Sequence, residues 1–195
     1  GRIFVDGQKP DQLKGPDKVS LMPQAPFLLD HLSVKANILL PCGLASRRAS
    51  ASDSSYAELM ESLGLSAEES RKPIELSGGM RTRVALARAL VSSPTYLFLD
   101  EPFASLDILR RWVMYKAIRK KRATAAFTTI LTTHDLWEAV IIADYIAVLG
   151  DGDGDSKIDT EKNHAPAIDR VSIQECLRGI HSKVEKLTIK LEDCA

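Results

Sequence analysis

The chain has 195 residues, 45% hydrophobic and 27% charged, a composition that supports a packed core and excludes bulk disorder. Lys plus Arg and Asp plus Glu both number 26, so the formal net charge of +0 excludes a nucleic-acid binder working by overall charge, while leaving room for a local basic patch. Cys42, Cys176 and Cys194 are odd in number and far apart, which fits a reducing compartment rather than a disulfide framework or a metal knuckle. No run of about 18 apolar residues is present, so no segment reads as a bilayer span.

In chain order, Gly1 to Gly7 reads as a strand running into a turn rather than as a natural start, and an N-terminally incomplete protein is expected. Residues 1–30 carry Gly7, Pro10, Gly15, Pro16, Pro23 and Pro26 between short apolar pieces, which predicts short strands and loops. A short helix is expected over 33–40 and a loop over 43–54. Leu59, Met60 and Leu63 share one face of a helix beginning near Ser55, and Gly64 ends it. A second helix covers 77–91. Thr95 to Leu99 is a continuous apolar run, as expected for a strand buried on both faces. Helix 106–122, a second buried strand from Thr128 to Thr133, helix 136–143 and strand 145–149 follow. This alternation predicts an α/β domain with a largely parallel sheet. Asp151 to Asp155 reads as a turn, 151–167 as a linker or loose hairpin, and 172–189 as an amphipathic helix.

Four signals carry chemistry. Ser77-Gly78-Gly79 precedes a helix, where open backbone N–H groups and the helix dipole form a seat for phosphate; the plainer reading is that Ser77 caps the helix. Asp100 and Glu101 end a hydrophobic strand at the carboxyl edge of the sheet, where ligands sit in open α/β folds. Successive strand residues point apart, so one acid can organise Mg²⁺ while the other orients water; the alternative is a solvated strand end. Ser105-Leu106-Asp107 follows, and alone it reads as a helix cap. His134 lies just after the next apolar strand, where it can donate a hydrogen bond to a terminal phosphate or serve as an ordinary surface residue.

Together, Leu76-Ser77-Gly78-Gly79-Met80, Leu97 to Glu101, Ser105-Leu106-Asp107 and His134 resemble the signature, Walker B, D-loop and switch histidine of ABC transporter ATP-binding subunits. Gln24, in Leu21-Met22-Pro23-Gln24, resembles the Q-loop glutamine. Arg83 to Leu90, Asp100 to Phe103 and Thr133 to Ala139 are similar to the ATPases of nitrate, sulfonate and taurine importers. The resemblance implies a P-loop NTPase-like α/β fold with a helical signature-motif subdomain at about 31–92. It also implies an ATPase domain over 1–150 and an appended hairpin or linker and helix over 151–195. It implies ATP and Mg²⁺ as cofactors, a transmembrane permease and a second ABC ATPase subunit as partners, no nucleic acid, and a cytoplasmic place on the inner face of the membrane. Glu101 then polarises water, Asp100 organises Mg²⁺, and Gln24 senses Mg²⁺ or water. His134 contacts the γ-phosphate, Asp107 crosses the dimer interface, and Ser77, Gly78 and Gly79 act on nucleotide held by the partner.

The pattern fails at one place. The Gly-rich Walker A loop with Lys and Ser or Thr occurs nowhere in these 195 residues. The chain alone is therefore expected neither to bind ATP tightly nor to hydrolyse it. Either an N-terminal portion is missing, or this is a degenerate subunit that completes another chain's site. Three further features have bland alternatives. Asp151 to Asp159 partly resembles a calcium loop, but Ser156 and Lys162 stand where Gly and Glu are required, which favours a solvated hairpin. The basic run from Arg110 to Arg122 reads as a solvated helix face rather than a lipid contact. Phe27, Leu28, Leu29 and Leu32 form either a docking patch for the membrane subunit or core.

Overall fold

Local chemistry sets the helix ends. The structure, a computed structural model, describes residues 19–44, 53–104, 106–150 and 157–162, together with Val5, Gly7, Lys9 and Gln12. Helix α1 (Val34–Leu44) starts where Ser33 Oγ accepts from Ala36 N at 3.2 Å. Helix α2 (Asp53–Ser62) ends before Gly64, whose φ of +62° is cheap only for a residue without Cβ. Helix α3 (Gly78–Val91) and helix α4 (Ile108–Thr124) begin at the caps Ser77 and Asp107, which accept from Met80 N and Arg110 N. Lys121 and Arg122 in the last turn of α4 oppose its dipole. The helices predicted up to residue 143 are found, with α1 running further, to Leu44, and α4 starting later, after its cap.

The described chain falls into two compact units, Gly1–Thr132 and Thr133–Ala195. In the first, strands β1 (Val19–Met22), β2 (Tyr96–Asp100) and β3 (Thr128–Thr132) form a parallel sheet in the order β1-β2-β3. The register pairs Met22 with Leu99 and Asp100 with Thr132, so all three carboxyl ends reach one edge. The core is aliphatic: Ile38, Met60, Leu63, Leu86, Leu90, Leu97, Leu99, Met114 and Ile118 are each at most 2% exposed. Burying a Leu or Ile side chain stabilises by roughly 1.5–3 kcal/mol, so this set outweighs any single polar contact. Phe103 is also fully buried, with its ring edge-to-face on Tyr115 of α4 at 4.8 Å, which anchors the segment after the two acids to that helix.

Two strand expectations need correction. β2 buries Leu97 and Leu99 but leaves Tyr96 and Phe98 half-buried. β3 is not a buried strand: Thr128, Ile130 and Thr132 are exposed, because it is the last strand of the described sheet. In the second unit, helix α5 (Leu136–Ile142) is capped by Asp135. Strand β4 (Tyr145–Gly150) pairs antiparallel with strand β5 (Lys157–Lys162), Tyr145 opposite Lys162 and Gly150 opposite Lys157. The proposed turn over Asp151 to Asp155 and the helix over 172–189 lie outside the described residues, as does Ser105. Among the described residues, no helix is long and apolar enough to cross a membrane.

Candidate functional site

Parallel pairing puts four polar residues at one sheet edge. Gln24 follows β1, Asp100 ends β2 with Glu101 just after it, and Thr132 ends β3. Gln24 Nε2 donates to Glu101 Oε2 at 3.1 Å. Thr132 Oγ1 donates to Asp100 Oδ1 at 2.7 Å, a short charge-assisted bond. The two acids therefore lean to opposite neighbouring strands, as their adjacent positions predicted. Glu101 N also donates to Thr132 O at 3.1 Å, while Glu101 itself sits at φ 41°. That backbone is costly by about 1–3 kcal/mol for a residue with Cβ, and such strain clusters at working sites. The fixed bonds to Gln24 and Thr132 hold it there.

The donors fit Mg²⁺ of the nucleotide-bound kind. Asp100 supplies carboxylate oxygen, and the Gln24 carbonyl oxygen is not used in its bond to Glu101. Among the described residues, no group of three or more His, Cys, Asp or Glu gathers as an all-protein cage. One carboxylate completed by water and phosphate oxygens is what Mg²⁺ accepts.

Ser77, Gly78 and Gly79 form a second cluster in the same unit. Ser77 caps α3, and a Cβ on Gly78 would meet nothing within 4 Å, so that face of the helix start is open. Gly79 is close-packed instead: its Cβ would stand 3.2 Å from both Leu106 Cδ2 and Arg110 Cδ. The signature thus abuts the start of α4, where Asp107 caps the helix and pairs with Arg110 at 3.1 Å. Both plain readings, Ser77 and Asp107 as caps, are correct as local structure. Capping occupies Ser77 Oγ as acceptor and leaves its hydroxyl proton as a donor.

His134 belongs to the second unit and is exposed. The turn around it is fixed: Asp135 N donates to Thr133 Oγ1 at 3.0 Å, and Thr133 Oγ1 donates to Glu138 Oε2 at 2.6 Å. Glu138 is only 4% exposed, so this bond anchors the turn. The cap of α5 is Asp135, not His134.

Sequence reasoning missed the supports of the loop after Gln24. Arg88 of α3 donates to Pro26 O at 2.8 Å and Phe27 O at 3.0 Å. Burial pushes the Arg88 guanidinium below its ordinary value, which marks how far it leaves water for those carbonyls. Asn37, fully buried, accepts from Leu29 N at 2.8 Å and donates to the carbonyls of Leu29, Leu32 and Ser33 at 3.0–3.2 Å. A signal was available: Asn37 lies between Val34 and Ile38 on the apolar face of α1, where a polar residue needs partners. With its backbone so held at φ 39°, Phe27 is 71% exposed and Leu29 37%, so these two are not core. On α4, Arg110, Lys116, Lys120 and Arg122 are exposed, as a solvated face requires, whereas Lys121 is half-buried.

The family model described as ABC transporter matches residues 1–104. The chain belongs to the ABC transporter family. It is 38% identical over 184 residues to the aliphatic sulfonates import ATP-binding protein SsuB 2 of Agrobacterium fabrum, covering 94% of this chain and 66% of that one. It is 41% identical over 158 residues to the Fe(3+) ions import ATP-binding protein FbpC of Pseudomonas fluorescens, covering 78% and 44%. It is 38% identical over 156 residues to the bicarbonate transport ATP-binding protein CmpC of Synechocystis, covering 79% and 23%. The chain thus spans from about a quarter to about two thirds of the length of these relatives. Among solved structures it is similar to a dimeric post-hydrolysis state of the ATP-binding cassette MJ0796 bound to ADP and Pi. The TM-score is 0.66 at 25% identity, covering 83% of this chain and 72% of that one. The fold is α/β and P-loop NTPase-like.

Proposed function

We propose that this chain is the ATP-binding part of an ABC importer, coupling ATP hydrolysis to uptake of a small anionic solute. The observation that carries it is the carboxyl-edge arrangement, in which Gln24 is bonded to Glu101 and Thr132 to Asp100. In this reading residues 1–150 form the ATPase domain, residues 151–195 are an appendage, and Glu101 polarises the attacking water while Gln24 reports on it. Mg²⁺, when bound through Asp100 and water, neutralises phosphate charge. His134 donates to the γ-phosphate. Asp107 crosses to a second ABC ATPase subunit, and Ser77, Gly78 and Gly79 close over nucleotide held by that partner. Exposed Phe27 and Leu29 dock on a transmembrane permease, which keeps the protein at the cytoplasmic face of the membrane.

A second reading has a specific support. A Cβ on Gly78 would meet nothing within 4 Å, so this helix start is open to a nucleotide held by another chain. In this reading the chain is a non-catalytic partner that completes another subunit's ATP site. The test is titration of Mg-ATP into the 195-residue chain and into the same chain fused behind a Walker A portion. Binding and turnover only in the fusion support the importer ATPase. A fusion that still fails to bind or turn over ATP favours the non-catalytic partner. Micromolar binding by the 195-residue chain, roughly −8 kcal/mol, overturns this account of the site.

A further inference from the structure

The groove between α2 and α4 takes no part in the chemistry above. It has about 40 Å³ of room, and Ser55, Glu58, Lys120 and Lys121 line it beside Leu59 and Ala117. Lys121 is half-buried, and its Nζ donates to Ser55 Oγ at 3.2 Å. Burial pushes its ammonium below the ordinary lysine value, and the opposing charge of Glu58 only partly restores it. Lys120 differs: it is exposed, and its Nζ lies 4.0 Å from Glu58 Oε2, a loose surface pair that an incoming anion displaces at little cost. The groove therefore holds a half-buried amine next to an exposed cation.

We propose that Lys121 is an acylation site for small acyl phosphates, with Lys120 holding the phosphate of the reagent. The neutral Nζ attacks the carbonyl carbon of the acyl phosphate. A C–N bond forms, the C–O bond to phosphate breaks, and phosphate leaves with that electron pair. The surplus proton on nitrogen passes to water. No oxidant or reductant is needed. The product amide is uncharged, so the groove loses one of its two ammonium groups, and the contact from α4 to Ser55 of α2 is rebuilt without charge.

The experiment treats the 195-residue chain with acetyl phosphate and maps acetyl-lysines over time by peptide mass spectrometry, with fragment ions separating Lys120 from Lys121. Lys116, exposed on the same helix, is the reference. Lys121 is expected to label roughly fivefold or more faster than Lys116. Lys120→Gln is expected to slow Lys121 with acetyl phosphate but not with N-hydroxysuccinimide acetate, whose leaving group does not need the cation. The proposal is overturned if Lys121 labels no faster than Lys116, if the label goes to Lys120, or if Lys120→Gln slows both reagents alike.

Discussion

Replacing Asn37 by Ala tests the claim that the loop after Gln24 is held from α1. The side chain is 0% exposed and makes four hydrogen bonds, to Leu29 N, Leu29 O, Leu32 O and Ser33 O. Not all are lost equally. Leu29 O keeps Leu32 N at 3.1 Å, and Ser33 O keeps the Asn37 backbone N–H at 2.9 Å. Leu29 N and Leu32 O lose the partner that Asn37 supplied. An unsatisfied, water-poor backbone group costs about 1–3 kcal/mol, so the two together set a loss of about 3 kcal/mol. For a chain of this length that lowers Tm by roughly 6–12 °C. Asn37→Asp is expected to be worse than Asn37→Ala. It keeps the acceptor for Leu29 N but turns a buried carboxylate toward three carbonyl oxygens. Urea unfolding midpoints of the two variants measure both effects. A loss under about 1 kcal/mol for Ala, or an Asp variant more stable than Ala, refutes the accounting.

The remaining predictions concern the other support of that loop and an alkaline titration. Arg88→Met keeps the aliphatic stem and removes both bonds to Pro26 O and Phe27 O. Hydrogen exchange at the Leu29 amide should then rise roughly tenfold, with the Val34 amide unchanged; equal rates at Leu29 in both proteins rule the clamp out. Tyr56 is raised from its ordinary 10.0 to about 12, first by burial and then by the charge of Glu69. The fold thus favours the neutral phenol. Its contribution is fully present below pH 10 and is lost as pH rises through about 12. Tyr56→Phe should flatten that part of the stability profile, measured as urea midpoint against pH; identical profiles in the two proteins contradict the assignment.

The order of elements was readable from the chain because each rests on a local rule. Apolar spacing over Leu59, Met60 and Leu63 set one helix, and Gly64 stopped it at positive φ. Asp107 and Ser77 capped theirs, and an apolar run made β2. The candidate residues Gln24, Asp100, Glu101, Ser77 and Asp107 were readable as motifs for the same reason: their types and order lie along the chain.

Tertiary structure alone decided which strands pair and which groups meet, because those depend on contacts between residues far apart in sequence. The bond from Gln24 to Glu101 spans 77 positions, and those from Arg88 to the loop span 61 and 62. Thr132 acquired a role only when register set it beside Asp100. Thr128 to Thr133 read as a buried strand, yet β3 ended the described sheet and left Thr128, Ile130 and Thr132 exposed. Lys121 and Lys120 are neighbours in a basic run that sequence treats alike. Packing of α4 on α2 half-buried Lys121 and left Lys120 exposed, since burial follows the helix face and not the charge.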